Sequence, residues 1–238
     1  MDNQHKAIAI IVFLLFAIGL PMVFSAPDAP TISIIKNETK SSGTSAFVNT
    51  SGGSITTMVL NSTTQNLRWK AFVGNVSGSL TLDDASANTI FDWSLAEIVG
   101  EVYATRSSTT VSWADVNCST QTNITNEEIA MSHTNNPSDN ISTTFNQQNH
   151  PEFYVGSVNI PLNDCYSLYT YKNDTAQSSD FAEILLHDKT NVVYATIIEQ
   201  NALGFNPNQT YDFQMILPEN GQESWSSSTA YYFYVELT

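Results

Sequence analysis

Short runs of alternating apolar and polar residues recur along the chain, separated by clusters of Ser, Thr, Asn and Gly. In the stretch 67–73, Leu67, Trp69, Ala71 and Val73 share one face and Arg68 and Lys70 the other, the period of two of a half-buried strand. In 76–82, Val76, Gly78, Leu80 and Leu82 oppose Ser77, Ser79 and Thr81 in the same way. The pattern and its turn signals predict strands at 31–36, 54–60, 67–73, 76–83, 89–93, 98–105, 109–113, 152–160, 165–171, 181–186, 192–198, 211–217 and 231–237. Residues 83–88 read as a hairpin loop, and 187–191 as the turn of a second hairpin. In 231–235 aromatic residues fall on both faces, which predicts a central strand covered on both sides.

One region breaks the pattern. Thr125 followed by Glu127 and Glu128 predicts one short helix near 126–132, with the acids at the positive end of its dipole. The Asn-rich stretch 135–149 predicts a long loop with a single turn near 141–145. Many short strands at this spacing predict an all-β fold, an antiparallel two-sheet β-sandwich or jelly roll. Residues 26–238 read as one such domain with a linker-like start at 26–52; two small sandwiches split near Cys118 are the alternative. Residues 102–105 and 193–196 carry the same four residues, Val-Tyr-Ala-Thr, too short a match to establish a duplication.

The first 25 residues are different again. Lys6 precedes 18 residues, 7–24, that are apolar and uncharged. Small residues follow, which predicts a signal peptide over 1–25 with cleavage after Ser25. An uncleaved transmembrane anchor is the second reading. A pilin-like leader cut between Ala7 and Ile8 is the third, opposed by Pro21 near the helix end. All three readings place the body outside the cytoplasm. Export in turn predicts that Cys118 and Cys165 pair as a disulfide.

Composition then narrows the function. With 23 acidic and 8 basic residues the net charge is -15, which excludes a nucleic-acid binder that works by neutralising phosphates. Ser, Thr and Asn number 27, 26 and 23. They generate nine Asn-x-Ser/Thr sites, at Asn37, Asn49, Asn61, Asn75, Asn117, Asn123, Asn140, Asn173 and Asn208. Random placement gives roughly five, so composition accounts for about half. A glycan-coated surface is the expectation.

Candidate chemistry is sparse. The four histidines, His5, His133, His150 and His187, lack zinc-ligand spacing. Residues 74–78, Gly-Asn-Val-Ser-Gly, are not a nucleophile elbow, because the serine stands one place late. Glu101 and Glu183 lie within strands and are the candidate pair for a glycoside hydrolase; Glu183 shares a face with His187. Asp83, Asp84, Asp92 and Asp139 offer oxygen ligands for calcium without a calcium-loop motif. Trp69, Trp93 and Trp113 read as core, leaving Trp225 in the polar stretch 222–228 as a speculative carbohydrate contact. Lys70 could form an internal isopeptide bond with an Asn. Trp113 precedes both cysteines, so the immunoglobulin pattern is not met.

The stretches 74–82 (GNVSGSLTL), 91–93 (FDW), 100–106 (GEVYATR), 213–221 (FQMILPENG) and 231–237 (YYFYVEL) resemble segments of uncharacterised secreted proteins of uncultivated archaea. The resemblance spans most of 60–238. It implies an archaeal envelope setting and brings no activity, cofactor or catalytic residue. The expectation is an exported, N-glycosylated, non-enzymatic surface protein that partners itself or glycans and has a structural or adhesive role. A secreted carbohydrate-binding or carbohydrate-cleaving sandwich is the alternative, with the anchored or pilin-like form behind it. No cofactor is expected.

Overall fold

A computed structural model describes residues 26–135 and 137–238; the expected signal or anchor segment 1–25 lies outside them. The strands are β1 (Trp69–Gly74), β2 (Ser79–Asp83), β3 (Thr89–Ser94), β4 (Gly100–Thr105), β5 (Asn117–Cys118), β6 (Phe153–Val155), β7 (Val158–Ile160), β8 (Ser167–Tyr169), β9 (Ala182–His187), β10 (Val192–Ile197), β11 (Ala202–Leu203), β12 (Thr210–Tyr211), β13 (Phe213–Pro218) and β14 (Tyr232–Leu237). The helices are α1 (Gln121–Ala130) and the one-turn α2 (Ile141–Thr144). The fold is all-β and antiparallel, as the alternation predicts.

Its centre is a six-stranded sheet in the order β14-β4-β10-β9-β5, with β8 also paired to β9. Every residue of β4 is buried, and β9 and β10 are buried except at their last residues. The repeated Val-Tyr-Ala-Thr stretches are neighbours here. Tyr103 stands opposite Ala195, and Ala104 opposite Tyr194. Each face of the ladder thus sets a large ring beside a methyl, so a shared packing solution accounts for the match.

Both faces of this sheet carry a core. On one, Val102, Ala104, Leu185 and Tyr194 pack with Met215 and Leu217 of the β1–β13 ladder and with Ile124, Ile141 and Phe145 from the helical region. On the other, Tyr103, Ile184, Leu186 and Val193 pack with Val111 and Val116 and with Phe153, Val155 and Ile160 of the β6–β7 hairpin. The sandwich therefore has a partial third layer that the alternation did not foretell.

The disulfide explains how one excursion covers both faces. Cys118 and Cys165 are bonded, with Cα atoms 4.9 Å apart. Cys118 ends β5 and Cys165 stands just before β8. Both strands lie along the outer edge of β9, where Asn117 faces His187 and Ser167 faces Ile184. The chain between them sends α1 and α2 to one face and the β6–β7 hairpin to the other. His150, buried beneath this crossing, accepts a hydrogen bond from the Cys165 amide on Nε2 (2.9 Å) and places Nδ1 2.8 Å from the Pro151 carbonyl. That pattern requires a neutral ring, and burial lowers its pKa accordingly.

Several expectations are corrected. Residues 31–36 and 54–60 form no strand; from Thr31 to Leu67 every side chain is exposed, and β-branched residues without a pairing edge do not make a ladder. Residues 109–113 run as a loop into a short turn at Trp113–Asp115, packing Trp113 against Tyr103 and Tyr234. The helix begins five residues earlier than the acids suggest. Thr120 is its cap, in a reciprocal capping box with Asn123, so Glu127 and Glu128 lie in its later turns. In β1 the inward face is the other one: Lys70 and Phe72 stand opposite the buried Leu217 and Met215, while Ala71 is exposed. β14 has a layer on each face but is the edge strand, paired only with β4. Its outer edge meets Asp28, whose N–H and C=O bond to Val235 at 3.0 and 2.8 Å. Gly100, at φ +140°, opens β4 so close to β14 that a Cβ would stand 1.9 Å from the Glu236 carbonyl oxygen.

Candidate functional site

Glu101 and Glu183 do not form a pair. Glu183 faces Thr196 across β9 and β10, on the side of Leu185 and Tyr194; Glu101 lies beside Tyr103 on the other side. Glu183 is completely buried. Its Oε2 accepts the Ile216 amide at 2.9 Å and its Oε1 has no partner, so burial pushes its pKa well up and holds it as a neutral acid. Leu185 separates it from His187 along the strand. Glu101 instead meets Glu236, its cross-strand neighbour on β14. The Tyr103 hydroxyl is 3.1 Å from Glu236 Oε2 and 3.5 Å from Glu101 Oε2, and the Gly156 amide donates to both Glu236 oxygens at 2.9 and 3.0 Å. Burial, reinforced by Glu236, pushes Glu101 up to about 8, against the Tyr103 hydrogen bond.

A polar groove of about 250 Å³ lies between α1 and the β9–β10 turn, lined by Thr105, Arg106, Asn123, Glu127, His187 and Asn191 among others. Arg106 Nε and Nη2 each approach a Glu127 oxygen at 2.6 Å, a bidentate pair. The groove's one cation is thereby satisfied internally, and no aromatic side chain lines it. Burial lowers the His187 pKa. Arg106 and Glu127 stand 21 residues apart, and no spacing in the sequence points to their pairing.

The most unusual surface is apolar. In the β2–β3 hairpin Leu80 faces Trp93 and Leu82 faces Phe91, so four large apolar side chains share one face. They are 42–57% exposed, and the Phe91 and Trp93 rings touch edge to face at 5.0 Å. Trp93 is thus not a core residue as its strand position suggested. The acids of this region work locally: Asp84 accepts from the Ser86 and Asn88 amides and from Asn88 Nδ2, stapling the hairpin loop. Elsewhere in the sequence, the segment 31–66 leaves Ile32, Ile34, Ile35, Phe47, Ile55, Val59 and Leu60 largely exposed.

None of the nine candidate glycan asparagines is buried. Asn37, Asn49, Asn61, Asn75, Asn117, Asn173 and Asn208 are exposed, and Asn123 and Asn140 are half-buried. Asn117, Asn123 and Asn140 engage Oδ1 with nearby amides, leaving the Nδ2 that a glycan would occupy. Trp225 is 44% exposed in the 219–230 loop and is not among the residues that line the groove. Asp139 is held by Asn66 and Arg68, and no cluster of three metal-ligating side chains occurs among the described residues. Lys70 Nζ contacts Glu219, the Thr229 carbonyl and the Tyr231 ring. Burial opposes ionisation of Glu219, but hydrogen bonds from Thr229, Lys70 and Asn220 outweigh it and bring its pKa to about 2; Lys70 is an ion-pair partner here. Among the described residues no helix is long and apolar enough to cross a membrane.

No family model, curated protein or solved structure matches the chain.

Proposed function

We propose that the protein is an exported, N-glycosylated structural or adhesive component of the cell surface that assembles with further copies of itself. The observation that supports this reading is the uncovered apolar face of Leu80, Leu82, Phe91 and Trp93. A monomer in water has no use for four contiguous apolar side chains presented in this way. The partner surface is the 31–66 segment of a second copy. It offers exposed β-forming residues and, with Lys36 paired to Glu38, the base Lys40, whereas residues 75–99 carry Asp83, Asp84, Asp92 and Glu97 and no base. The two patches are different parts of one chain, so their contact is head to tail, and where its rotation does not close into a ring it builds open filaments or layers. A strand added at a free edge supplies main-chain hydrogen bonds, and the apolar face supplies the pocket for alternate side chains. The accessible sequons fit a solvated outer surface. Electron microscopy of the native envelope, with mass analysis of its glycopeptides, tests the reading. A repeating layer or filament containing this chain is expected. A monomer recovered only from the medium, without glycans, would overturn it.

A further inference from the structure

The carboxylates of Glu101 and Glu236 are both buried, face each other across β4 and β14, and take part in none of the ion pairs among the described residues. Two like charges at this distance in a dry site require a shared proton or a cation. Among the described residues, the Tyr103 hydroxyl and the Gly156 amide donate hydrogen bonds to the pair. The chain segment beside them is the one that follows the predicted leader. Asp28 is fixed to Val235, the neighbour of Glu236, and Pro27 is buried. The Cα of Ala26 lies 3.8 Å from the point where a Cβ on Gly156 would stand, and Gly156 is the residue whose amide holds Glu236.

We propose that Glu101, Glu236, Tyr103 and the Gly156 amide form a buried site for a primary ammonium group, and that its occupant is the α-ammonium of Ala26. This rests on the reading of 1–25 as a leader cut after Ser25. A leader peptidase adds one water across the Ser25–Ala26 bond. The water oxygen goes to the Ser25 carboxylate, and the amine released on Ala26 takes up a proton at neutral pH. The new cation arises two residues from the Asp28 anchor, next to Gly156, whose amide holds Glu236. It neutralises one carboxylate and lets the other keep its hydrogen bonds, in place of two acids competing for one proton. The upward displacement of both acids reflects the site before the cation is present. Cleavage then does more than release the chain. It closes the outer edge of β14 with an ion pair and makes the mature form more stable than its precursor.

The test uses the full chain in detergent, with residues 20–25 replaced by the recognition sequence of a protease that cuts just before Ala26. Thermal unfolding is followed before and after cutting, in the parent and in the Glu101→Gln/Glu236→Gln double variant. The expected result is a rise in Tm of roughly 5 °C on cutting the parent and none in the variant. Independently, the α-amine of the cut chain, labelled with ¹³C-methyl groups and titrated by NMR, is expected to be at least tenfold more basic than an ordinary α-amine at about 7.7–8.0. An unchanged Tm with an ordinary titration overturns the proposal, as does an equal rise in parent and variant. Sequencing the N-terminus of the exported native chain reports separately on the leader. A start elsewhere than Ala26 sinks that reading, whatever the engineered chain shows of the site.

Discussion

The β9–β10 and β2–β3 hairpins are built from similar alternating strands, yet one is buried almost throughout and the other is exposed at every residue. The difference lies in what covers them. β9 and β10 are flanked by β4, β5 and β8 and covered on one face by the β1–β13 ladder and the helices, on the other by the β6–β7 hairpin. β2 and β3 pair only with each other. A two-stranded ribbon with one apolar face is marginal in isolation, so its sequence makes physical sense when something outside the described chain covers it. Burial in the first hairpin is satisfied within the molecule, and in the second it would be supplied, on the proposed reading, by a second copy.

That contrast can be broken at either end. The largest effect is expected at the disulfide. Closing a loop with a sequence separation of 47 contributes about 4 kcal/mol in the chain-entropy model. Cys118→Ser/Cys165→Ser is therefore expected to lower the unfolding free energy by about that amount in a urea titration, without removing the β2–β3 contact surface. Next, Leu185→Ala is expected to cost about 3 kcal/mol, since the side chain is fully buried in the core. Leu82→Ala, the same chemistry on the open hairpin, is expected to cost under about 0.5 kcal/mol. Equal costs for the two leucines would erase the distinction.

Phe91→Ser/Trp93→Ser reverses the order. It is expected to weaken self-association by roughly 100-fold, about 2.7 kcal/mol, as read by light scattering against concentration, with the Tm unchanged within about 2 °C. The last prediction concerns pH. With Ala26 still in peptide linkage, folded Glu101 holds its proton up to about 8, while the ordinary value is 4.5. The folded state thus binds this proton more tightly than the unfolded one, so the contribution of Glu101 to stability is full below about 4.5 and is lost as pH rises toward 8. Glu101→Gln is expected to reduce this slope. Glu183, raised in the same direction, retains part of it.

Much of the fold was legible because it follows from period two. The strands at 67–73, 76–83, 89–93, 98–105, 181–186, 192–198, 211–217 and 231–237, the 187–191 turn and the turn at 141–145 follow from alternation and turn residues; 109–113 is no strand, and 152–160, expected as one strand, folds into the β6–β7 hairpin. Export logic also gave the pairing of Cys118 and Cys165. What escaped was decided by neighbours. In β1 the sheet-facing side is that of Lys70 and Phe72, opposite Leu217 and Met215, while Trp69 still packs on the core through Phe145 and His133. β14 looked central because both its faces are aromatic, but being covered on two faces does not require a strand on each side. The strands expected at 31–36 and 54–60 had the right residue types and no edge to join. The candidate site was the least legible part. The pairing of Glu101 with Glu236 and of Arg106 with Glu127 joins residues far apart in the chain, and no local pattern encodes such contacts.

The measurement that bears most directly on the central claim is sedimentation velocity of the native protein across a hundredfold range of concentration, beside Phe91→Ser/Trp93→Ser. The account predicts a native boundary that moves to ever larger species as concentration rises, the signature of open head-to-tail growth, and a variant that stays monomeric. A native chain that remains monomeric throughout the range, or a variant that assembles as well as the native chain, would contradict it.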